Sequence, residues 1–223
     1  MDFLYMLEIL PEVASYYIPT TLVLAFVSIF FAVVIGLIVA FGRRSKNKII
    51  SSISAAYISV FRGVPTVVQL FIIYFGLPQL FPSMSNLYAM SAAIIGLSFK
   101  EASYLAEIFR AALDSVDSGQ IEAGLSVGMK PWKIYQTVVI PQAVVNAVPG
   151  TLNVFISLVK ESSIVFTLGV TEVFASAKLI ASSSMLYFET YVVVGFIYWV
   201  INVVISWSQG KLERKIAVPY KRS

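Results

Sequence analysis

The chain has 223 residues, of which 58% are hydrophobic and 13% charged, and its formal net charge is +4. Soluble domains carry about 25% charged residues, so this composition excludes an ordinary soluble enzyme and indicates an integral membrane protein. The absence of cysteine and histidine excludes disulfides, thiolate metal sites and the usual general base.

The N-terminal residues 1–16 contain acidic residues but no basic one, whereas a secretory signal begins with positive charge. Apolar residues from Phe3 to Val13 recur at helical spacing. We therefore expect no secretory signal here, but a short amphipathic helix that lies on the outer membrane surface.

Long uncharged stretches divide the chain into about five predicted transmembrane spans. The first is 13–42. The uncharged stretch 63–99 is too long for one span, and an external turn at 77–87 separates the second span, which precedes the turn, from the third at 87–113. The last two spans are 141–159 and 191–207. Basic residues cluster after the first span, in the central loop and at the C-terminus, and these segments are expected to be cytoplasmic. The predicted fold class is all-α, a polytopic transmembrane helix bundle with its N-terminus outside. The membrane domain is expected at 17–210, and a basic cytoplasmic tail at 211–223.

The third predicted span carries polar residues on one helical stripe. The stripe consists of Lys100, Ser103, Tyr104, Glu107, Ala111 and Asp114. Charges at membrane depth are costly and usually face a bundle interior or a cavity. Arg110 has the spacing to pair with Glu107 and Asp114. Glu101 points elsewhere, and we expect it to face Lys100 of a neighbouring copy or the outer water.

The fourth predicted span carries a second polar stripe, which ends at the charged pair Lys160–Glu161. Its members are Asn146, Gly150, Asn153, Ser157 and Lys160. Small and amide side chains at such spacing also hold helices together, and charges can form structural ion-pair networks. The two stripes together predict either such packing or a polar route that replaces water around a zwitterion.

A polar segment at about 114–140 separates these two spans. Glu122 and Ala123 favour a helix, and Gly128 suits the left-handed turn that ends one. A G-x-S-x-G match at 124–128 is treated as chance because the chain has no histidine. No phosphate-binding G-x-x-x-x-G-K-[ST] loop occurs, so the chain is expected not to bind ATP in that way.

This segment resembles the EAA loop of permease subunits in bacterial ABC importers, with Gly124 in place of the usual second alanine. Further matches narrow the resemblance to polar amino-acid importers. They are Phe61–Pro65, Gln69–Phe71, Tyr74–Pro78, Tyr104–Arg110, Gly119–Gln120 and Lys160–Ser163. The match to the EAA loop itself consists of Glu122, Ala123, Gly128, Ile140 and Pro141. The resemblance covers nearly all of the chain beyond the first span.

The resemblance implies the fold of a type I ABC importer permease in a bacterial cytoplasmic membrane. The ATPase-coupling residues it implies are Glu122, Ala123, Gly124 and Gly128. It also implies two ATPase subunits that use ATP and Mg, an extracytoplasmic amino-acid-binding protein and a second permease copy, as a homodimer rather than a heterodimer. The chain itself is expected to be no enzyme and to bind no cofactor, metal or nucleic acid.

The substrate pathway is assigned from the stripes and from the family motifs. Its predicted residues are Arg62, Pro65, Gln69, Lys100, Tyr104, Glu107, Asn153, Ser157, Lys160 and Glu161. Pro65 is expected to break the second helix near the pore. Residues 174–184 and 196–199 are similar to cystine permeases, so we predict L-cystine as substrate. Glutamine, glutamate, arginine or histidine are alternatives, as is an ion-coupled carrier or channel without ATPases.

Overall fold

A computed structural model describes residues 2–217, apart from the side chains of Tyr16 and Ala217. Throughout that range the chain is helical between short loops, which confirms the all-α prediction. The helices are α1 (Phe3–Arg43), α2 (Lys48–Gly63), α3 (Thr66–Phe71), α4 (Leu77–Leu80), α5 (Ala89–Asp114), α6 (Ser118–Ser126), α7 (Pro131–Ile134), α8 (Ile140–Glu161), α9 (Val173–Ser184) and α10 (Tyr187–Ala217). π-Helical turns at Ile72–Gly76 and Tyr135–Val139 join α3 to α4 and α7 to α8. Lys221 and Arg222 of the predicted tail lie outside the described residues.

Within the described part of the chain, three helical segments are long and apolar enough to cross a membrane. They are Tyr17–Arg43, Pro131–Leu168 and Tyr187–Ile216. A fourth span is possible as the bent pair Lys48–Gly63 and Thr66–Leu80, whose axes differ by 108°. Helix α5 is not among these segments, since Lys100 and Glu101 interrupt its apolar sequence. The count of five spans and the direction of the chain therefore stay predictions.

For residues 1–16 we predicted a separate surface helix. Instead, the N-terminal segment is the first part of the continuous helix α1. Asp2 caps this helix by accepting a hydrogen bond from the Tyr5 N–H at 3.1 Å. Ile9 and Val13 are buried against α9 and α10. The apolar residues of this segment therefore pack on the bundle as well as face outward, and packing keeps the helix continuous.

The break between α2 and α3 lies at Val64–Pro65, as predicted from the proline. Gln69 stabilises the break, because its amide Nε2 donates to the carbonyl oxygens of Phe61 at 3.0 Å and Val64 at 2.7 Å. These carbonyls have no partner within α2, since its helix stops at Gly63. Gln69 is buried, so its contacts are those of a structural residue.

The centre of the bundle is the pair α1 and α5, which α8 joins from the side. Small buried residues line the contact, including Ala32 on α1 and Ala102 and Ala106 on α5. Small side chains let helix backbones approach closely, which is how helices associate in membranes. This packing fixes the position of α5 relative to α8, the two helices that carry the predicted polar stripes.

Candidate functional site

The segment between α5 and α8 forms a compact helical unit, residues 118–134, which we call the docking segment. It is shorter than the predicted loop at 114–140, because the helix from Pro131 onward leads directly into α8. Its first helix, α6, is capped by Asp117, whose Oδ1 accepts the Gly119 N–H at 2.6 Å.

Helix α6 ends in the left-handed turn predicted for Gly128, whose φ is +82°. The N–H of Gly128 donates to the Leu125 carbonyl and that of Met129 to the Gly124 carbonyl, both at 3.0 Å. These two bonds form a Schellman motif, which satisfies carbonyls at the helix end. The prediction for Gly128 is therefore confirmed, and the docking segment has a defined end.

The packing around Gly124 explains why a glycine stands where the family pattern has an alanine. It is buried, and a Cβ atom there would lie 2.8 Å from Cδ1 and 2.9 Å from Cγ1 of Ile134. Ile134 is itself fully buried on α7. The glycine thus allows α6 and α7 to pack closely, which makes the docking segment a compact unit.

The outer surface of the docking segment is apolar at several positions. Leu125 is 48% exposed, Val127 76% and Trp132 62%, and Glu122 and Ala123 are also exposed. An exposed apolar patch with a polar surround is typical of a protein–protein contact. With this surface, the short helix α6 can fit into a groove on a partner protein.

Two amide contacts connect the docking segment and the end of α5 to α8. Gln142 Nε2 donates to Gln120 Oε1 at 2.6 Å, and Gln120 Nε2 lies 3.4 Å from Gln142 Oε1. Asn146 Nδ2 donates to Ser115 Oγ at 2.8 Å. The Gln120–Gln142 pair was not predicted from the sequence, since its members are 22 residues apart and fit no local pattern.

A second group of residues, inside the bundle, joins α5 to α8 by charge. Lys100 Nζ lies 3.0 Å from Glu101 Oε1 and also bonds to both carboxylate oxygens of Glu161. The expectation that Glu101 faces a neighbouring copy or water is therefore wrong: it is 2% exposed and pairs with Lys100 of its own chain. Burial requires this, because an unpaired buried carboxylate is strongly disfavoured.

Tyr104 lies between two cations in the same group. The Arg62 guanidinium carbon lies 5.0 Å from the ring centre and Lys100 Nζ 5.4 Å from it, within the range of cation–π contacts. The structure thus brings together four of the predicted pathway residues with Glu101. We call Arg62, Lys100, Glu101, Tyr104 and Glu161 the charged cluster.

Glu107 belongs to a different group, at the end of α5 that leads into the docking segment. Arg110 Nη2 lies 2.7 Å from Glu107 Oε2, and Arg110 Nη1 lies 3.1 Å from Asp114 Oδ2, which confirms the predicted pairs. Arg44, which follows the last residue of α1, also pairs with Asp114. With Arg43 these residues line a cavity of about 320 Å³.

The remaining pathway residues are spread over the bundle. Asn153 is exposed on α8, and its Oδ1 lies 3.4 Å from Gln209 Nε2 on α10. Ser157 is half-buried, and Lys160 is exposed without an ion pair among residues 2–217. Pro65 is exposed at the break after α2. The single polar route predicted from the two stripes is thus divided into separate groups.

Sequence analysis also missed a buried carboxylate, Glu172. It is fully buried, and its Oε1 accepts the Ala175 N–H at 2.8 Å at the start of α9. Its Oε2 accepts the Tyr198 hydroxyl at 2.6 Å and that of Thr21 at 3.4 Å. Glutamate is not among the preferred N-cap residues, so the local sequence gave no signal of this contact between α1, α9 and α10.

Comparison with known proteins gives the family. The family described as "Binding-protein-dependent transport system inner membrane component" matches residues 32–218. The probable amino-acid permease YxeN of Bacillus subtilis is 51% identical over 99% of this chain and 98% of its own length. The L-cystine transport system permease TcyL of the same organism is 34% identical over 90% and 85%. A crystal structure of an amino acid ABC transporter with histidines has 37% identity, a TM-score of 0.88, and coverage of 96% of this chain and 99% of that one.

The chain belongs to this family. It is an integral inner-membrane permease subunit with the fold of a type I ABC importer, and it works with an ATPase and a substrate-binding protein. It is a transport subunit rather than an enzyme, because in this family ATP hydrolysis belongs to a separate subunit. The family also favours this mechanism over an ion-coupled carrier or channel.

Proposed function

We propose that this chain imports a polar amino acid, L-cystine in the first place, across a bacterial cytoplasmic membrane. Two copies form a homodimer that binds two ATPase subunits, and an extracytoplasmic binding protein delivers the substrate. The observation that carries the proposal is the docking segment, a compact helical unit with an exposed apolar surface between two helices of the bundle. It suits a groove on the ATPase, with Glu122, Ala123, Gly124 and Gly128 as the coupling residues.

Helix α8 connects the docking segment to the charged cluster. It begins at Ile140, directly after the π-helical turn that follows α7, and its 22 residues end at Glu161. At 1.5 Å per residue its length is about 33 Å. A continuous helix transmits displacement, and α8 is continuous through its internal Pro149. ATPase closure at one end of α8 thus moves Glu161 relative to Lys100 at the other. In this way nucleotide-driven movement opens and closes the route past the cluster.

The choice of cystine is based on the resemblance of residues 174–184 and 196–199 to cystine permeases. Overall identity does not select a substrate, since the Bacillus subtilis permeases TcyL, named for L-cystine, and ArtQ, named for arginine, are both 34% identical to this chain. Glutamine, glutamate, arginine and histidine are the alternative substrates.

Co-purification tests the docking segment. We expect Leu125→Glu to abolish recovery of the ATPase with the tagged permease, because it places a charge on the apolar docking surface. Leu80→Glu changes a leucine on α4 that is even more exposed, 73% against 48% for Leu125, and should leave recovery unchanged. Equal recovery with both variants would remove the docking segment as the ATPase contact.

Uptake tests the substrate. Cells with and without this subunit are supplied with labelled L-cystine and with unlabelled glutamine, glutamate, arginine or histidine as competitors. We expect subunit-dependent uptake that stops when ATP hydrolysis is blocked. Uptake that continues when ATP hydrolysis is blocked would contradict an ABC mechanism. Cystine uptake that is equal with and without the subunit would contradict only the choice of substrate.

A further inference from the structure

The charged cluster contains a lysine that is already paired with two carboxylates. Lys100 Nζ bonds to Glu101 on its own helix and to Glu161 on α8. The Lys100 side chain is 9% exposed and that of Glu101 3%, while that of Glu161 is 35% exposed. A solute that passes the cluster can therefore contact Glu161, but the carboxylate of Glu161 is already paired with Lys100.

The second cation near the Tyr104 ring, Arg62, has no carboxylate of the described part of the chain in contact with it. Arg62 is exposed, and within residues 2–217 it forms a cation–π contact with Tyr104 but no ion pair within 4 Å; Glu107 attracts it only from a longer distance. Its guanidinium is therefore available to a carboxylate, which it can bind through two parallel hydrogen bonds. The cluster thus contains an exposed cation without an ion-pair partner in contact among the described residues, and an anion, Glu161, that is already paired with Lys100.

We propose, on the basis of the function proposed above, that Lys100 determines specificity by occupying the position that a cationic side chain would take between Glu101 and Glu161. Amino acids with neutral or anionic side chains then pass, with the α-carboxylate on Arg62 and the α-ammonium beside the exposed part of Glu161. A cationic side chain has to displace Lys100, which leaves a buried charge without a partner. L-Arginine is thereby rejected, whereas L-cystine, L-glutamine and L-glutamate are accepted.

Replacement of the lysine should reverse this selection. Lys100→Met alone leaves Glu101 as an unpaired buried carboxylate and can prevent folding. The double variant Lys100→Met/Glu101→Gln removes both buried charges and keeps their approximate shape. Only the partly exposed Glu161 then stays without a counter-ion, and it should attract a cationic side chain.

The test measures equilibrium binding of labelled L-glutamine and L-arginine, which have similar length, to the permease–ATPase complex in nanodiscs without the binding protein. We expect the wild type to prefer glutamine by about tenfold or more, and the double variant to gain about tenfold or more in arginine affinity. Adding Glu161→Gln should remove that gain. Lys46→Met, which removes an exposed lysine in the loop after α1, should produce none.

Two outcomes would overturn the inference. A wild type that binds arginine as tightly as glutamine contradicts it whether or not the variants fold. An assembled double variant with unchanged arginine affinity contradicts it as well. The function proposed above fails in a different way, when the wild-type complex contains no ATPase or moves no amino acid.

Discussion

The docking segment and the charged cluster are built in opposite ways. The docking segment is held mainly by contacts between near neighbours in the chain, such as Asp117 with Gly119 and Gly124 with Met129. The charged cluster depends on partners far apart, since Lys100 and Glu161 are 61 residues from one another. A surface helix can leave polar groups to water, but charges inside the bundle need partners that only the fold supplies.

The comparison predicts that substitutions in the charged cluster affect the whole bundle, whereas those in the docking segment mainly affect the ATPase contact. Lys100 and Glu101 have almost no access to solvent, so the loss of one charge has no easy compensation. Substitutions in the docking segment change the shape of a small exposed unit. Four substitutions, from the largest expected effect to the smallest, examine this difference.

Lys100→Ala should destabilise the bundle most, because it leaves the buried Glu101 without its cation. Removal of one partner of a buried ion pair costs about 3–5 kcal/mol. We expect a lower thermal midpoint and a lower yield of the purified permease. The exposed Lys46 provides the control, since Lys46→Ala removes the same charge from the surface. Equal midpoints for the two variants would mean that the pair does not stabilise the fold.

Gly124→Val should separate α6 from α7, because its Cβ would approach Ile134 Cδ1 to 2.8 Å. Overpacking of this kind costs about 1–3 kcal/mol. We expect weaker binding of the ATPase in a titration with an unchanged thermal midpoint of the bundle. Ile134→Ala in the same chain should restore part of the binding. A double variant that binds no better than Gly124→Val would argue against this contact.

Gly128→Ala should weaken the end of α6, since φ is +82° at this position. The left-handed conformation costs a residue with a Cβ about 1–2 kcal/mol. We expect reduced ATPase affinity, and a smaller reduction for Gly128→Asn, since asparagine tolerates this conformation better. Gly210→Ala is the control, because a Cβ there meets nothing within 4 Å. If alanine and asparagine behave alike, the left-handed turn is not what the glycine supplies.

Gln142→Ala should have the smallest effect on stability, because it removes hydrogen bonds to the exposed Gln120 and to the Val138 carbonyl. A typical hydrogen bond contributes about 0.5–1.5 kcal/mol. We expect more ATP hydrolysed per amino acid transported, since the docking segment is less firmly connected to α8. Gln120→Ala in the same chain should add little, and additive losses would show that the two amides act independently.

Much of the fold could be read from local sequence. Pro65 marks the break after α2, and the spacing of Arg110 between Glu107 and Asp114 gives their ion pairs. The continuity of residues 1–16 with α1 could not be read in this way. It depends on burial of Ile9 and Val13 against helices more than 150 residues later in the chain, and a helical repeat does not reveal what it packs against.

By itself the sequence determined the membrane class, the helical architecture and the docking segment, because hydropathy, caps and turns act between residues that are close along the chain. Only the tertiary structure decided which charges compensate one another. Glu101 has Lys100 as its neighbour in the sequence, yet the fold also directs Lys100 to Glu161 and places Tyr104 between Lys100 and Arg62. Electrostatic pairing depends on distance in space, and burial makes that distance decisive.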